Sequence, residues 1–462
     1  MSKIKLNPRI GLPLRSNIHL LGRLACALLI SFNIEAVYAK TTDATTVDQL
    51  SLAEITERVK AYQNSQGVWQ AQQDIADANI KNSQLWNNPT LQVDRTGFKN
   101  DQDQEWAVSL SQPLDVFGQR RASRALAHLS KQQASLKQMI YDQQLAMAVK
   151  SLWSQVMLAE IETRLLNEQL KVSLENLAAT EKRFQAGSIA QVDVERVRLT
   201  QTNLTALVQQ ADLTRQTLKN QLFNLWGQST VSNAIGDDFV SMWPQDTLTS
   251  IEQNRTENLV EKSLKLDELE TSAQMALLKA KARPNPDINL GVKRTKTAQN
   301  QVDSQLVLGV SVPLKLFNRN QYATQIAQVK SALIEKQQNF YQTQNQLDVQ
   351  TLVVELNQLK SQFDFILQQQ IPLAVRVQKR TLEGFKAGKF NVMDVQQATA
   401  QLLDIRLQSV QLLKSAWQKS IEAQSLSLGI DPSIVTSKNV LVQLNQALIQ
   451  ETKALPVIEA GN

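Results

Sequence analysis

The stretch Ser111-Gln112-Pro113-Leu114-Asp115-Val116-Phe117-Gly118 returns further along the chain as Ser311-Val312-Pro313-Leu314-Lys315-Leu316-Phe317-Asn318. Other unusual positions recur around it in the same order. Asn88-Pro89 matches Asn285-Pro286, Phe184-Gln185-Ala186-Gly187 matches Phe385-Lys386-Ala387-Gly388, and Asp193-Val194 matches Asp394-Val395. The offset drifts only from 197 to 201 across this span, so one unit is duplicated in tandem. The period is far too long for a solenoid. Two similar halves are implied, a first repeat over 40–251 and a second over 252–429, preceded by 1–39 and followed by a tail over 430–462.

Each half reads as a helix, a strand pair, a very long helix and a closing helix. The first helices are expected over Leu52–Leu85 and Glu252–Ala282, and the long ones over Arg121–Phe184 and Gln321–Phe385. At 1.5 Å per residue each long helix spans roughly 95 Å, too far to fold back into a compact core. Leu145, Val149, Leu152 and Val156 form a narrow apolar seam in the first. Val349, Leu352, Leu356, Leu359, Phe363, Ile366, Leu373 and Val377 form one in the second, the spacing of helices that pack on helices. Pro372 interrupts the second seam and predicts a kink. Closing helices over Val192–Leu225 and Val392–Leu428 run out at Gly227 and Gly429. Only 14 Gly and 11 Pro in 462 residues agree with few turns and long elements.

The strand pairs, about 90–114 and 287–313, alternate with a period of two. Leu91, Val93, Trp106, Val108 and Leu110 share one parity, as do Ile288, Leu290, Val292, Leu306, Leu308 and Val310. Segments of about 10 residues with one apolar and one polar face are what a transmembrane barrel strand needs, the alternative being two soluble hairpins in a periplasmic protein. Arg95 and Arg294 fall on the apolar parity and are a misfit, relieved by long stems reaching the interface or by a shift of register. Four strands cannot close a barrel and open edges cannot face lipid, so the membrane reading requires several chains.

The net charge of +6 invites a nucleic-acid reading until its position is considered. Residues 1–39 hold Lys3, Lys5, Arg9, Arg15 and Arg23, an apolar run over Leu24–Phe32, and Val37-Tyr38-Ala39. This is the order of a secretory signal with cleavage after Ala39, and the run is too short for a permanent anchor. Removing five of the 49 basic and one of the 43 acidic residues leaves 44 against 42, so nucleic acid is not an expected partner. Cys26 and His19 leave with the signal, and His128, near the start of the long helix, is expected at the surface. No catalytic, cofactor or metal constellation is expected from a mature chain with one His and no Cys, and no phosphate-binding loop occurs.

The chain resembles the TolC family of outer-membrane efflux factors and, within it, the cobalt–zinc–cadmium resistance subgroup. The likeness rests on Asn88-Pro89-Thr90-Leu91, Ser111-Gln112-Pro113-Leu114 and Phe117-Gly118-Gln119-Arg120-Arg121 in the first half. In the second it rests on Val312-Pro313-Leu314, Leu316-Phe317-Asn318-Arg319-Asn320-Gln321, Ile371-Pro372-Leu373-Ala374, Gly384-Phe385-Lys386-Ala387-Gly388 and Met393-Asp394-Val395. It covers about residues 50 to 430. The resemblance implies a mainly α fold with a small membrane β part. Three chains would form an α-helical tunnel and share a 12-stranded β-barrel, four strands per chain. It further implies an outer-membrane duct in a Gram-negative bacterium, served by a periplasmic adaptor (a membrane fusion protein) and an inner-membrane proton-driven pump of the RND type. Divalent heavy-metal cations are the implied cargo; drug efflux and type I protein secretion use ducts of the same plan.

The turns Phe184–Asp193 and Phe385–Asp394 are the expected periplasmic aperture and adaptor contact. Gly187 and Gly388 permit the turns, while Asp193 and Asp394 stand where new helices begin. They would complement the helix dipoles, and three copies around a constriction would favour cations. A periplasmic coiled-coil adaptor or scaffold is the alternative from another class, but the two hairpins leave no room for the compact β-rich domain such a protein needs.

Overall fold

The computed structural model describes residues 50–99, 102–228, 243–437 and 439–454, so the expected export signal over 1–39 lies outside the described residues. The first repeat contains α1 (Leu52–Ser65), α2 (Val68–Asn82), β1 (Thr90–Thr96), β2 (Gln104–Pro113), α3 (Gln119–Gln185) and α4 (Gln191–Asn224). The second contains α5 (Thr247–Arg255), α6 (Leu259–Ala282), β3 (Asp287–Lys296), β4 (Val302–Ser311), α7 (Gln321–Phe365), a π-helical turn Ile366–Gln370, α8 (Ile371–Lys386) and α9 (Val392–Leu428). The tail adds α10 (Pro432–Val435) and α11 (Val440–Ala454).

The first helix of each half is not continuous as expected. The Leu52–Leu85 helix divides at Gly67, which takes φ +71° and so ends one helical path before the next starts. The Glu252–Ala282 helix divides between Arg255 and Leu259, where Asn258 leaves the helical conformation and its side chain accepts from the Glu261 N–H. Both halves break their first helix, by different chemistry and at different distances from the strand that follows, α2 having 15 residues and α6 having 24.

All four strands join one antiparallel sheet in the order β1-β2-β3-β4, so the two repeats meet through the β2–β3 ladder. Its register places Leu91, Leu110, Leu290 and Leu308 in one row and Val93, Val108, Val292 and Leu306 in the next. The sheet passes directly into the helices. The Asp115 carboxylate accepts from the Gln119 and Arg120 N–H groups at 2.7 and 2.9 Å and so caps α3.

At 67 residues α3 runs for roughly 100 Å, and its middle carries the main core. Leu145, Val149, Leu152 and Val156 are all buried there, as the seam predicts, together with Trp153, which meets Trp417 edge-on at 6.4 Å. Ile430, Val435, Val440 and Leu444 of the tail close the same core.

The second long helix changes phase partway. Val349, Leu352, Leu356, Phe363 and Ile366 are buried, but Leu373 and Val377 are 55% and 42% exposed, against expectation. Ala374 and Phe385 are the buried side chains beyond Pro372. The π-helical turn closes i→i+5 bonds and takes up one extra residue per turn, so the inward face slips by one position, from 373 to 374. Pro372 is accommodated in the first turn of α8, directly after that turn. A second stripe on α7, Ile326, Leu333, Phe340, Leu347 and Val354, recurs every seven residues and is exposed throughout, Phe340 at 72%. No described helix is long and apolar enough to cross a membrane.

Candidate functional site

Two regions stand out, one at each end of the long helices. At the first, the sheet turns its apolar parity outward. Leu306 and Leu308 are each 74% exposed, and Leu91, Val93, Val108, Leu110, Leu290, Val292 and Val310 are exposed beside them. On the other face stand Gln92, Asp94, Ser109, Asn289 and Gln305, with the Lys293 ammonium 2.6 Å from Glu105. An apolar band that no described residue covers and a polar opposite face are the pattern of a barrel wall between lipid and water. The outer edge strands β1 and β4 each leave one side unpaired within the chain.

Aromatic and basic side chains border the band. Toward the helices, Arg120 lies over Trp86 at 4.2 Å and Arg283 over Phe117 at 5.5 Å, while Phe317 is exposed. At the loop end, Arg95, Trp106, Arg294 and Ser304 form one cross-strand row. The register therefore does not shift at the two misfit arginines; they stand at the rim of the apolar face.

At the far end the two expected turns have the same backbone. The Gly187 N–H donates to the Phe184 carbonyl at 2.8 Å and Ser188 to Arg183 at 2.9 Å. In the second repeat Gly388 donates to Phe385 at 2.9 Å and Lys389 to Gly384 at 2.8 Å. This pair of bonds satisfies the last helical carbonyls and needs the left-handed conformation, which Gly187 and Gly388 adopt at φ +70° and +77°.

The two aspartates differ. Asp394 accepts from the Asn391 N–H, and the Asn391 side chain accepts from the Asp394 N–H, both at 2.9 Å, a reciprocal cap on α9. Asp193 has no such partner because Ala190 occupies the capping position of α4; its carboxylate lies 3.4 Å from Arg196 instead. Both carboxylates lie in the first turn of a helix, where the N-terminal dipole favours negative charge.

One residue that joins the two turns escaped the sequence reading. Arg183 of α3 donates to the Phe385 carbonyl at 3.1 Å, and its guanidinium lies over the Phe385 ring at 4.5 Å. Phe385, Val197, Val392 and Val395 form a small core between the hairpins, and Glu181 pairs with Arg198 at 2.9 Å between α3 and α4. At the repeat offset Arg183 stands opposite Gly384, so the signal available was a break in the duplication. His128 is exposed, and no cluster of metal-ligating side chains occurs among the described residues.

Helices of this length, a four-stranded sheet with an outward apolar face and hairpin turns at the opposite end define the architecture of an outer-membrane channel. The outer membrane protein VceC from Vibrio cholerae is similar with a TM-score of 0.62 at 13% identity, covering 82% of this chain and 96% of that one. The transmembrane channel CusC is similar with a TM-score of 0.58 at 14% identity, covering 82% and 92%. The chain belongs to the outer membrane efflux protein family, whose sequence model matches residues 59–228 and 253–429, one segment in each repeat. The cobalt–zinc–cadmium resistance protein CzcC of Cupriavidus metallidurans is 25% identical over 312 residues, 66% of this chain and 73% of that protein.

Proposed function

We propose that the chain is the outer-membrane exit duct of a tripartite, proton-driven efflux system, and that its cargo is a divalent heavy-metal cation such as cobalt, zinc or cadmium. The observation that carries the duct is the outward apolar sheet running into helices of roughly 100 Å. Three copies would close twelve strands into a barrel, and the exposed heptad stripe on α7 supplies a face for a second copy. The cargo reading rests on the similarity to CzcC.

In this reading the duct performs no reaction. A periplasmic adaptor meets the turns at Gly187–Asp193 and Gly388–Asp394, an inner-membrane pump of the RND type supplies the energy, and metal choice resides there. Asp193 and Asp394 act at the aperture by fixing where α4 and α9 begin. The test is deletion of the gene, expected to lower tolerance to cobalt, zinc or cadmium. Unchanged tolerance to all three, with new sensitivity to drugs, would reassign the cargo while leaving the duct. Recovery of the protein in the soluble periplasm would remove the duct itself.

A further inference from the structure

Arg95 and Arg294 stand on the face turned to lipid, where a charged side chain is costly unless it meets a partner. The ladder places them on either side of Trp106 in one row, Arg95 on β1 and Arg294 on β3. Two strand spacings separate their Cα atoms by about 10 Å, a gap that two long side chains leaning over the Trp106 ring can close onto one group. Arg95 is already held in this way. Its guanidinium lies 4.9 Å from the Trp106 ring and 5.1 Å from Phe98, an arrangement that orders the fork before any ligand arrives.

The electrostatics point the same way. Lys296 lies on the same parity two residues beyond Arg294, and the nearby carboxylate of Glu105 is on the opposite face, engaged by Lys293. Among the described residues no carboxylate pairs with Arg95, Arg294 or Lys296. Three cations thus share one rim, with aromatic rings beside them and no paired carboxylate among the described residues.

We propose that Arg95 and Arg294, with Trp106 between them, clamp the phosphate of an anionic lipid headgroup at the loop end of the sheet. Phosphate matches the planar donor fork of arginine, which can bind two oxygens at once. The lipid's acyl chains would then lie along the band of Val93, Val108 and Val292. The inference rests on the duct reading, because it needs this face in a bilayer.

The test uses the full mature chain reconstituted into phosphatidylcholine vesicles with and without phosphatidic acid of the same acyl composition. Flotation reports insertion. Phosphatidic acid retained per protein after detergent extraction reports the clamp. The wild-type chain is expected to retain it with a roughly thirtyfold preference over phosphatidylcholine, the effect of two arginines near an anionic surface, and R95Q/R294Q to lose that preference. R95K/R294K keeps the charge without the fork and is expected to retain only part.

Equal retention by wild type and R95Q/R294Q would overturn the inference while flotation upheld the duct. Full retention by the lysine variant would replace the clamp with diffuse charge. Displacement of the lipid by inorganic phosphate would make this a site for a soluble anion and overturn the lipid assignment. Failure to float with either vesicle would overturn the duct reading and the clamp with it.

Discussion

Along α3 the stretch from Tyr141 to Leu158 is buried on most sides, packed with α1, α9 and the tail. The matching stretch of α7 buries Val349, Leu352 and Leu356 but leaves Leu347 and Val354 exposed. The halves began as one unit, and the difference follows from where the single tail lies. Ile430, Val435, Val440 and Leu444 all join the core around α3. A duplicated helix without such a cover among the described residues keeps its second apolar face exposed, the face proposed above to meet a second copy.

The sharpest way to break this comparison is to charge the uncovered stripe. Phe340→Glu with Leu347→Glu should leave the chain folded and abolish assembly, read as a fall from three chains to one by size in detergent. An unchanged size would show that the stripe faces something else. In the covered helix the effect should be opposite in kind. Leu152→Ala is expected to cost about 3 kcal/mol of folding stability by denaturant titration, with assembly intact among the molecules that fold.

Smaller changes separate the turns. Asp394→Ala removes the reciprocal cap on α9 and should cost about 1 kcal/mol, whereas Asp193→Ala should cost only a few tenths, both read by thermal unfolding. Equal losses would mean that the backbone difference between Asn391 and Ala190 has no consequence. The double variant should also raise single-channel conductance; an unchanged value would confine both residues to starting their helices.

The smallest expected effect is a slope. Burial holds the Lys150 ammonium below its ordinary pKa, although it donates to the Gln424 side chain at 2.6 Å. Between its folded value and that of a free lysine the unfolded chain binds more protons, so stability should rise as pH climbs through that window. Lys150→Met should flatten that rise in a pH series of melting curves.

Much of this architecture was legible because it is periodic. The duplication, the seam at Leu145–Val156, the strand parity and the glycines of the two turns all follow from spacing alone. What was not legible depended on single residues acting across the chain. The division at Gly67 and at Asn258 lies inside patterns that remain helical on both sides. The one-residue slip after Ile366 cannot be seen in a seam of apolar residues that offers both Leu373 and Ala374. Arg183 reaches a backbone carbonyl 202 residues away, and a carbonyl has no sequence identity.

The π-helical turn carries a mechanical consequence. One extra residue amounts to about 100° of rotation on a helix of 3.6 residues per turn. The π turn absorbs that rotation, so the second long helix is a shaft with two cams kept in line, the upper one cut by Val349–Ile366 and the lower by Ala374–Phe385, although their numbering is out of step by one. Turning the whole shaft about its axis would unseat both at once, so a movement that opens the turns while the upper core stays packed has to be taken up in the five residues between them.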